Sequence, residues 1–358
     1  MLSNLDTPSL LVDADALEAN IKFMSGYFAK RHARLRPHFK SHKCTTIAKM
    51  QLRAGAVGIT CAKLGEAEVL ANAGIQNILI ANQIVGPIKI ARLIELSKRA
   101  NPIVAADCAD NLKMISDMAS KAGKEIGFLI EVDIGMGRCG VAPGQAAVDL
   151  AKTASTFPGI KFLGLQGYEG HSVDLRDEKE RTQKTLIAVN QLVDTRRLIE
   201  RSGLHVSIVS GGGTGTYLIN GDIDGIDELQ AGSYALMDWF YSDIRPEFRQ
   251  AMSILVTVIS RPRPNIAIID VGRKGCGAEW GPPRVKTFPG AKIPSFNSEE
   301  HATVQLPDDA IDKVRVGDRL EIIPSHGCTT SNLYREFVAH RNGNVIDRWP
   351  IEGSGALT

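Results

Sequence analysis

From Leu35 to about Tyr234 the sequence repeats one theme: a short, almost wholly apolar run, a turn, then an amphipathic stretch. Runs that are apolar throughout suit strands covered on both faces, and helices are what cover them. The candidate strands are LRPHFK (35–40), GITCAK (58–63), NILIAN (77–82), IVAAD (103–107), FLIEVD (128–133), FLGLQGY (162–168), HVSIVSG (205–211) and ELQAGS (228–233). Helical patterns separate most of them, for example over 65–74, 86–100 and 181–203. Eight alternating units in about 200 residues predict an α/β fold, a (β/α)8 TIM-like barrel rather than an open sheet. The last unit is the weakest, because only a short segment joins the seventh and eighth strands.

After about Ser242 the texture changes. SILVTVIS, NIAIIDVG, ATVQL and RLEIIP are strand-like and separated by Pro and Gly, and REFVAHRNGNVIDRWPI reads as a hairpin turning at Asn342-Gly343. The expectation is a barrel over 8–242 followed by a smaller β-rich C-terminal domain over 243–358. The opening TPSLLVD precedes the first barrel strand and is free to join either.

Hydrophobic and charged contents of 44% and 23% are those of an ordinary globular chain. The 42 basic and 40 acidic residues leave a net charge of +2, so nothing points to nucleic acid or an anionic membrane as partner. No apolar run reaches the roughly 18 residues of a membrane helix, and MLSNLDTPSLL lacks the regions of a signal peptide. Six scattered cysteines (44, 61, 108, 139, 276 and 328) read as reduced thiols, which implies a cytoplasmic location.

In barrels of this kind the chemistry collects at the C-terminal ends of the strands. The first strand ends in His38 and Lys40, and the fifth leads into EVDIGMGRCG, which carries Arg138. The sixth ends QGYEGHS, with Tyr168 and His171. The seventh runs into SGGGTGTY, with Gly213, Thr214 and Gly215, and the eighth into AGSY, with Gly232, Ser233 and Tyr234. The loops after strands seven and eight are the phosphate-gripping positions of this architecture. Glycine lets backbone N–H groups approach an anion, and Thr214 and Ser233 add hydroxyl donors. A phosphate together with a strand-end lysine points to pyridoxal 5'-phosphate, whose aldehyde forms a Schiff base with lysine. Arg36, His38 and Lys43 are placed to lower the pKa of Lys40 and keep its amine nucleophilic.

RPHFKSHK, EVDIGMGRCGV, SGGGTGTY, ELQAGSYALMD, SEEH and PSHGCTTSNLY occur in that order along nearly the whole chain. The combination resembles the D-threonine aldolase and D-serine dehydratase family, fold-type III pyridoxal phosphate enzymes with an alanine-racemase-like barrel. The resemblance implies that Lys40 is the Schiff-base lysine and that Arg138, Tyr168, Thr214, Gln230 and the Gly232–Tyr234 turn surround the cofactor. It demotes His38 and His42 to neighbours of the lysine. It implies a homodimer whose active sites are completed by the partner's second domain.

His326 and Cys328 flank one residue, and in an extended segment both side chains point to the same side. On their own they are too few for a structural zinc site. In the family the matching positions bind a divalent metal that grips the substrate. A cysteine there favours zinc over manganese or magnesium. Aldolases of the group place H-x-D where this chain has His326-Gly-Cys328, and H-x-C resembles the zinc-using dehydratases. The aldolases also carry a basic histidine four residues after the glycine of the sixth-strand motif. Here that position holds Asp174, and His171 follows Gly170 directly. These departures favour a D-serine/D-threonine-type dehydratase, which expels the β-hydroxyl of a small D-amino acid to leave a 2-oxo acid and ammonia. The alternative is retro-aldol cleavage to glycine and an aldehyde. More remote are an amino-acid racemase and a non-catalytic pyridoxal phosphate carrier. Carriers of this fold lack a second domain, which here spans roughly 115 residues.

Overall fold

The computed structural model describes all 358 residues, which divide into two compact units. One is formed by Met24–Lys40, Ile47–Gly232 and Ala356–Thr358, the other by Met1–Phe23, Ser41–Thr46 and Ser233–Gly355. Both units are discontinuous in sequence, unlike the simple boundary expected at 242/243. The reason lies in the first strand, β1 (Ser9–Asp13). It pairs antiparallel with β10 (Met252–Arg263) and parallel with β15 (Glu336–Arg341), so TPSLLVD belongs with the C-terminal strands.

The barrel unit holds β2 (Arg34–Leu35), β3 (Ile59–Cys61), β4 (Asn77–Gln83), β5 (Asn101–Ala106), β6 (Ile126–Glu131), β7 (Ile160–Gly167), β8 (Ile208–Gly211) and β9 (Glu228–Leu229). All are parallel, in the order β2-β9-β8-β7-β6-β5-β4-β3. Val57 donates to the Leu35 carbonyl and Thr60 to that of Pro37, each at 2.9 Å, and His38 bridges Thr60. These bonds join the two ends of that order and close the barrel. Leu79, Ile103 and Leu129 from three successive strands are buried together, with Leu163 and Ile208 packed against them. The crossover helices include Leu64–Asn72, Pro87–Leu96 and Glu178–Arg201, near the expected ranges. Between β8 and β9 only the single turn Tyr217–Asn220 is helical, as the short connection requires.

Several strands are shorter than their apolar patterns, β3, β8 and β9 among them, and the first matters most for the site. LRPHFK is paired as a strand only at Arg34–Leu35, and Phe39–Ser41 forms a 3-10 turn. Single bonds run on past the paired residues, from the Arg36 N–H to the Leu229 carbonyl at 2.8 Å and from the His38 N–H to that of Ala231 at 3.2 Å. The chain then turns at Phe39, so Lys40 stands on the turn beyond the strand rather than at its end.

The second unit is built on one eight-stranded sheet in the order β12 (Arg284–Val285), β14 (Arg319–Ile323), β10, β1, β15, β16 (Asn344–Pro350). β11 (Ile266–Ile269) pairs with β10 and with β13 (Ala302–Gln305). The hairpin β15–β16 turns at Asn342 (φ 49°) and Gly343 (φ 77°), the two left-handed residues that a tight primed turn needs. Leu5, Leu11, Leu255 and Val338 form a core cluster here. Asp270 accepts from the Thr257 N–H at 2.7 Å and the Thr7 hydroxyl at 2.5 Å, tying the amino-terminal segment to β10. No helix is long and apolar enough to cross a membrane.

Candidate active site

The barrel unit gathers a cluster around one ring. Tyr168, the residue after β7, has the Lys40 Nζ 5.8 Å and the Arg138 Cζ 6.0 Å from its ring centroid. The lysine arrives on its 3-10 turn, where the Lys40 N–H points to the His38 Nδ1 at 3.4 Å. Arg138 arrives on the loop after β6, whose Gly135, Gly137 and Gly140 all have positive φ. Asp133 holds the start of this loop, accepting from the N–H groups of Gly135 and Gly137 at 3.0 Å each. The Gly137 N–H, assisted by those of Gly135 and Met136 and by His171, keeps the Asp133 carboxyl below the usual carboxylate range despite its desolvation.

The Gly-rich turn after β8 is fully enclosed, with Gly213, Thr214 and Gly215 buried. A Cβ on Gly211 would lie 2.1 Å from the Gly167 carbonyl oxygen and one on Gly215 1.9 Å from that of Val173. Only glycine permits this path. The turn is organised by Glu169, a residue the sequence reading passed over. It is 0% exposed, and its Oε1 accepts from Thr216 Oγ1 and Asn220 Nδ2 at 2.6 Å each. Its Oε2 accepts from the Gly212 N–H at 3.3 Å. In the sequence it is one more loop carboxylate between Tyr168 and Gly170; only burial distinguishes it. Gln230 donates to Gln166 Oε1 at 3.1 Å and Ser210 Oγ at 3.0 Å, which fixes its amide at the mouth of the barrel.

His171 and Asp174 lie in the turn that follows Tyr168, both half-buried. The His171 ring rests on Gly135, where a Cβ would come 2.9 Å from its Cε1. Its Nδ1 is buried without a hydrogen-bond partner. Arg36 does not act on Lys40 as the sequence reading expected. Its Nε and Nη2 donate to Glu228 at 2.7 and 2.6 Å, so a buried carboxylate neutralises it. Lys43 is likewise spent on the Gly353 carbonyl, at 3.3 Å.

The remaining candidates belong to the other unit. Gly232 is the last residue of its segment in the barrel unit, and Ser233 opens the next segment of the antiparallel unit. The Tyr234 ring is fully buried, tilted against Phe248 at 5.9 Å. SHGC is not an extended segment, as the spacing argument assumed. His326 caps the short helix Gly327–Ser331, and Cys328 sits in its first turn. Asp238 anchors that cap. It accepts from the Gly327 N–H at 2.9 Å and from the Tyr241 N–H at 2.8 Å, and its Oδ2 lies 3.6 Å from His326 Nδ1. The Trp280 ring packs edge-on against the imidazole at 4.2 Å. Burial opposes a charge on His326, but the adjoining Cys328 and Asp238 outweigh it and hold its pKa at about 10. No group of three or more His, Cys, Asp or Glu side chains is gathered as a metal cage. An imidazole with a carboxylate behind it, next to a thiol, is nonetheless a nitrogen–sulfur donor pair that suits a soft divalent ion.

A closed parallel barrel with a lysine turn at its mouth, and an antiparallel unit that takes in the amino-terminal strand, places the protein among the alanine-racemase-like enzymes. Residues 12–238 match the family model of the alanine racemase N-terminal domain, and residues 251–340 match that of a serine dehydratase domain. The chain is 39% identical to the D-threonine aldolase of Arthrobacter sp, across 99% of this chain and 94% of that protein. It is 28% identical to the D-threo-3-hydroxyaspartate dehydratase of Delftia sp., across 97% of each. The crystal structure of D-threonine aldolase from Filomicrobium marinum superposes with a TM-score of 0.96 at 36% identity, covering 100% of this chain and 98% of that one. The chain belongs to the D-threonine aldolase and D-serine dehydratase family, and it is a lyase.

Proposed function

We propose that the protein cleaves β-hydroxy-D-amino acids to glycine and an aldehyde, with pyridoxal phosphate and a divalent metal as cofactors. The observation that carries the aldolase reading is whole-length likeness to D-threonine aldolases at 39% and 36% identity, against 28% for a dehydratase. The barrel unit suits the cofactor. Lys40 supplies the amine that holds its aldehyde, the Tyr168 ring a flanking wall, and the enclosed turn Gly213–Gly215 a seat for its phosphate. Arg138, Gln230 and Gly232 of the same unit supply further contacts. His326 and Cys328 would hold the metal, with Asp238 fixing the imidazole. When bound, pyridoxal phosphate supplies an electron sink for charge left on Cα, and the metal a Lewis acid for the β-oxygen.

The work left to the chain is proton transfer. The Nε2 of His171 takes the β-hydroxyl proton, and Asp133 stabilises the imidazolium that results. Asp174, in the same turn, is the weaker base. The family resemblance also supports a homodimer, and six cysteines with no disulfide among them suit the reducing cytoplasm.

The second reading, β-elimination to a 2-oxo acid and ammonia, is favoured by Cys328, because a thiolate suits zinc better than manganese or magnesium. Product analysis with D-threonine separates the two. Acetaldehyde and glycine in equal amounts are expected. 2-Oxobutanoate and ammonia would replace the aldolase reading with the dehydratase one.

A further inference from the structure

One buried carboxylate in the barrel unit has no part in the chemistry above. Glu131 is the last residue of β6 and is 4% exposed. Its Oε2 accepts from Gln83 Nε2 at 2.5 Å, and Gln83, at the end of β4, also donates to Asp107 Oδ2 at 3.2 Å. Asp107 in turn accepts from the Gly140 N–H at 2.9 Å. One amide therefore pins two carboxylates at the ends of neighbouring strands. Desolvation raises the Glu131 pKa against the Gln83 bond and the Arg138 charge, so this carboxylate is costly to keep ionised.

The other oxygen, Oε1, faces Arg138 Nη2 at 3.9 Å, an ion pair between a 6% exposed and a 52% exposed side chain. The arginine sits on a glycine-rich loop held at its start by Asp133 and at its end by Asp107. A long side chain on such a loop has many rotamers open to it. Glu131 is fixed to a strand and is the carboxylate that faces the guanidinium.

We propose that Glu131 is a positioning residue that holds the Arg138 guanidinium beside the Tyr168 ring, fixing the cation that the anionic groups of pyridoxal phosphate meet. The inference rests on the cofactor reading above. It differs from a purely structural role for Glu131, in which the bond to Gln83 alone matters.

The test is a double-mutant cycle read by cofactor affinity. Pyridoxal phosphate is resolved from the purified holoenzyme and titrated back while visible absorbance is followed. Glu131→Gln keeps the size and the contact to Gln83 but loses the charge, and should weaken binding about fivefold. In an Arg138→Ala background the same change should weaken it less than about twofold, because the partner is gone. Glu131→Asp, which keeps the charge on a shorter arm, should recover part of the loss and stands in if Glu131→Gln does not fold. Equal losses in both backgrounds, or parental affinity in both Glu131 variants, overturns the proposal. A parent that takes up no cofactor overturns the reading beneath it as well, which tells the two failures apart.

Discussion

A lysine is the commonest of surface residues, and Lys40 has no special standing in its own neighbourhood of His38, His42 and Lys43. What singles it out is the Tyr168 ring, 5.8 Å from its Nζ, in a loop whose own sequence carries no lysine-binding signature. Lys40→Ala should give a colourless protein beside a yellow parent, and borohydride should fix the cofactor on residue 40 of the parent alone, read by peptide mass. Glu169 makes the opposite case. Loss of a fully buried carboxylate strands two side-chain donors and one backbone N–H. Glu169→Ala should cost about 3 kcal/mol of unfolding free energy by urea titration. Neither Glu169 nor Glu131 could be found by reading, because an acidic residue in a loop or at a strand end normally faces water. Their importance is a property of burial, which residue type alone does not encode.

Strands covered on both faces announce themselves as unbroken apolar runs, so all eight barrel strands were legible to within a few residues. The short elements were not. A 3-10 turn at Phe39–Ser41 and a helix cap at His326 have no period to detect, and in both places an extended chain was the wrong assumption. The loop 133–140 is an element of this irregular kind, and its fixed point is Asp133. Because Gly137 and then Gly135 hold that carboxyl below its ordinary range, its anchoring is fully present above the unfolded pKa near 4. It is lost only as pH falls through the lower folded value. Hydrogen exchange of Gly135 and Gly137, corrected for its intrinsic pH dependence, should stay protected as pH falls below about 4. Asp133→Asn should abolish that pH dependence. Loss of protection already at pH 5 would remove Asp133 as the anchor.

At the scale of the molecule, the barrel depends on a seam made of its two shortest strands. β2 and β9 are paired over two residues each, and Arg36 and Glu228 lock them from within. The guanidinium also donates to Asn77 Oδ1 at 2.8 Å, and Gly58 leaves it room, since a Cβ there would lie 2.2 Å from Nη1. Arg36→Ala should destabilise the protein by about 3–5 kcal/mol by leaving Glu228 buried and unpaired. Arg36→Met with Glu228→Leu should recover most of that in urea unfolding, because the cost lies in the unpaired charge.

The strand β1 has a consequence for how the chain is made. It leaves the ribosome long before its neighbours β10 and β15, which begin at residues 252 and 336. At about 5–20 residues per second, an apolar segment waits more than ten seconds for its nearer partner, and longer for the other. Apart from Ala356–Thr358, the barrel unit lies between these events in the sequence, so its eight strands can pair while the amino-terminal strand still hangs open. Newly made chains should therefore pass through a stage with a formed barrel and an unpaired SLLVD, and that stage is where a nascent-chain chaperone has something to hold.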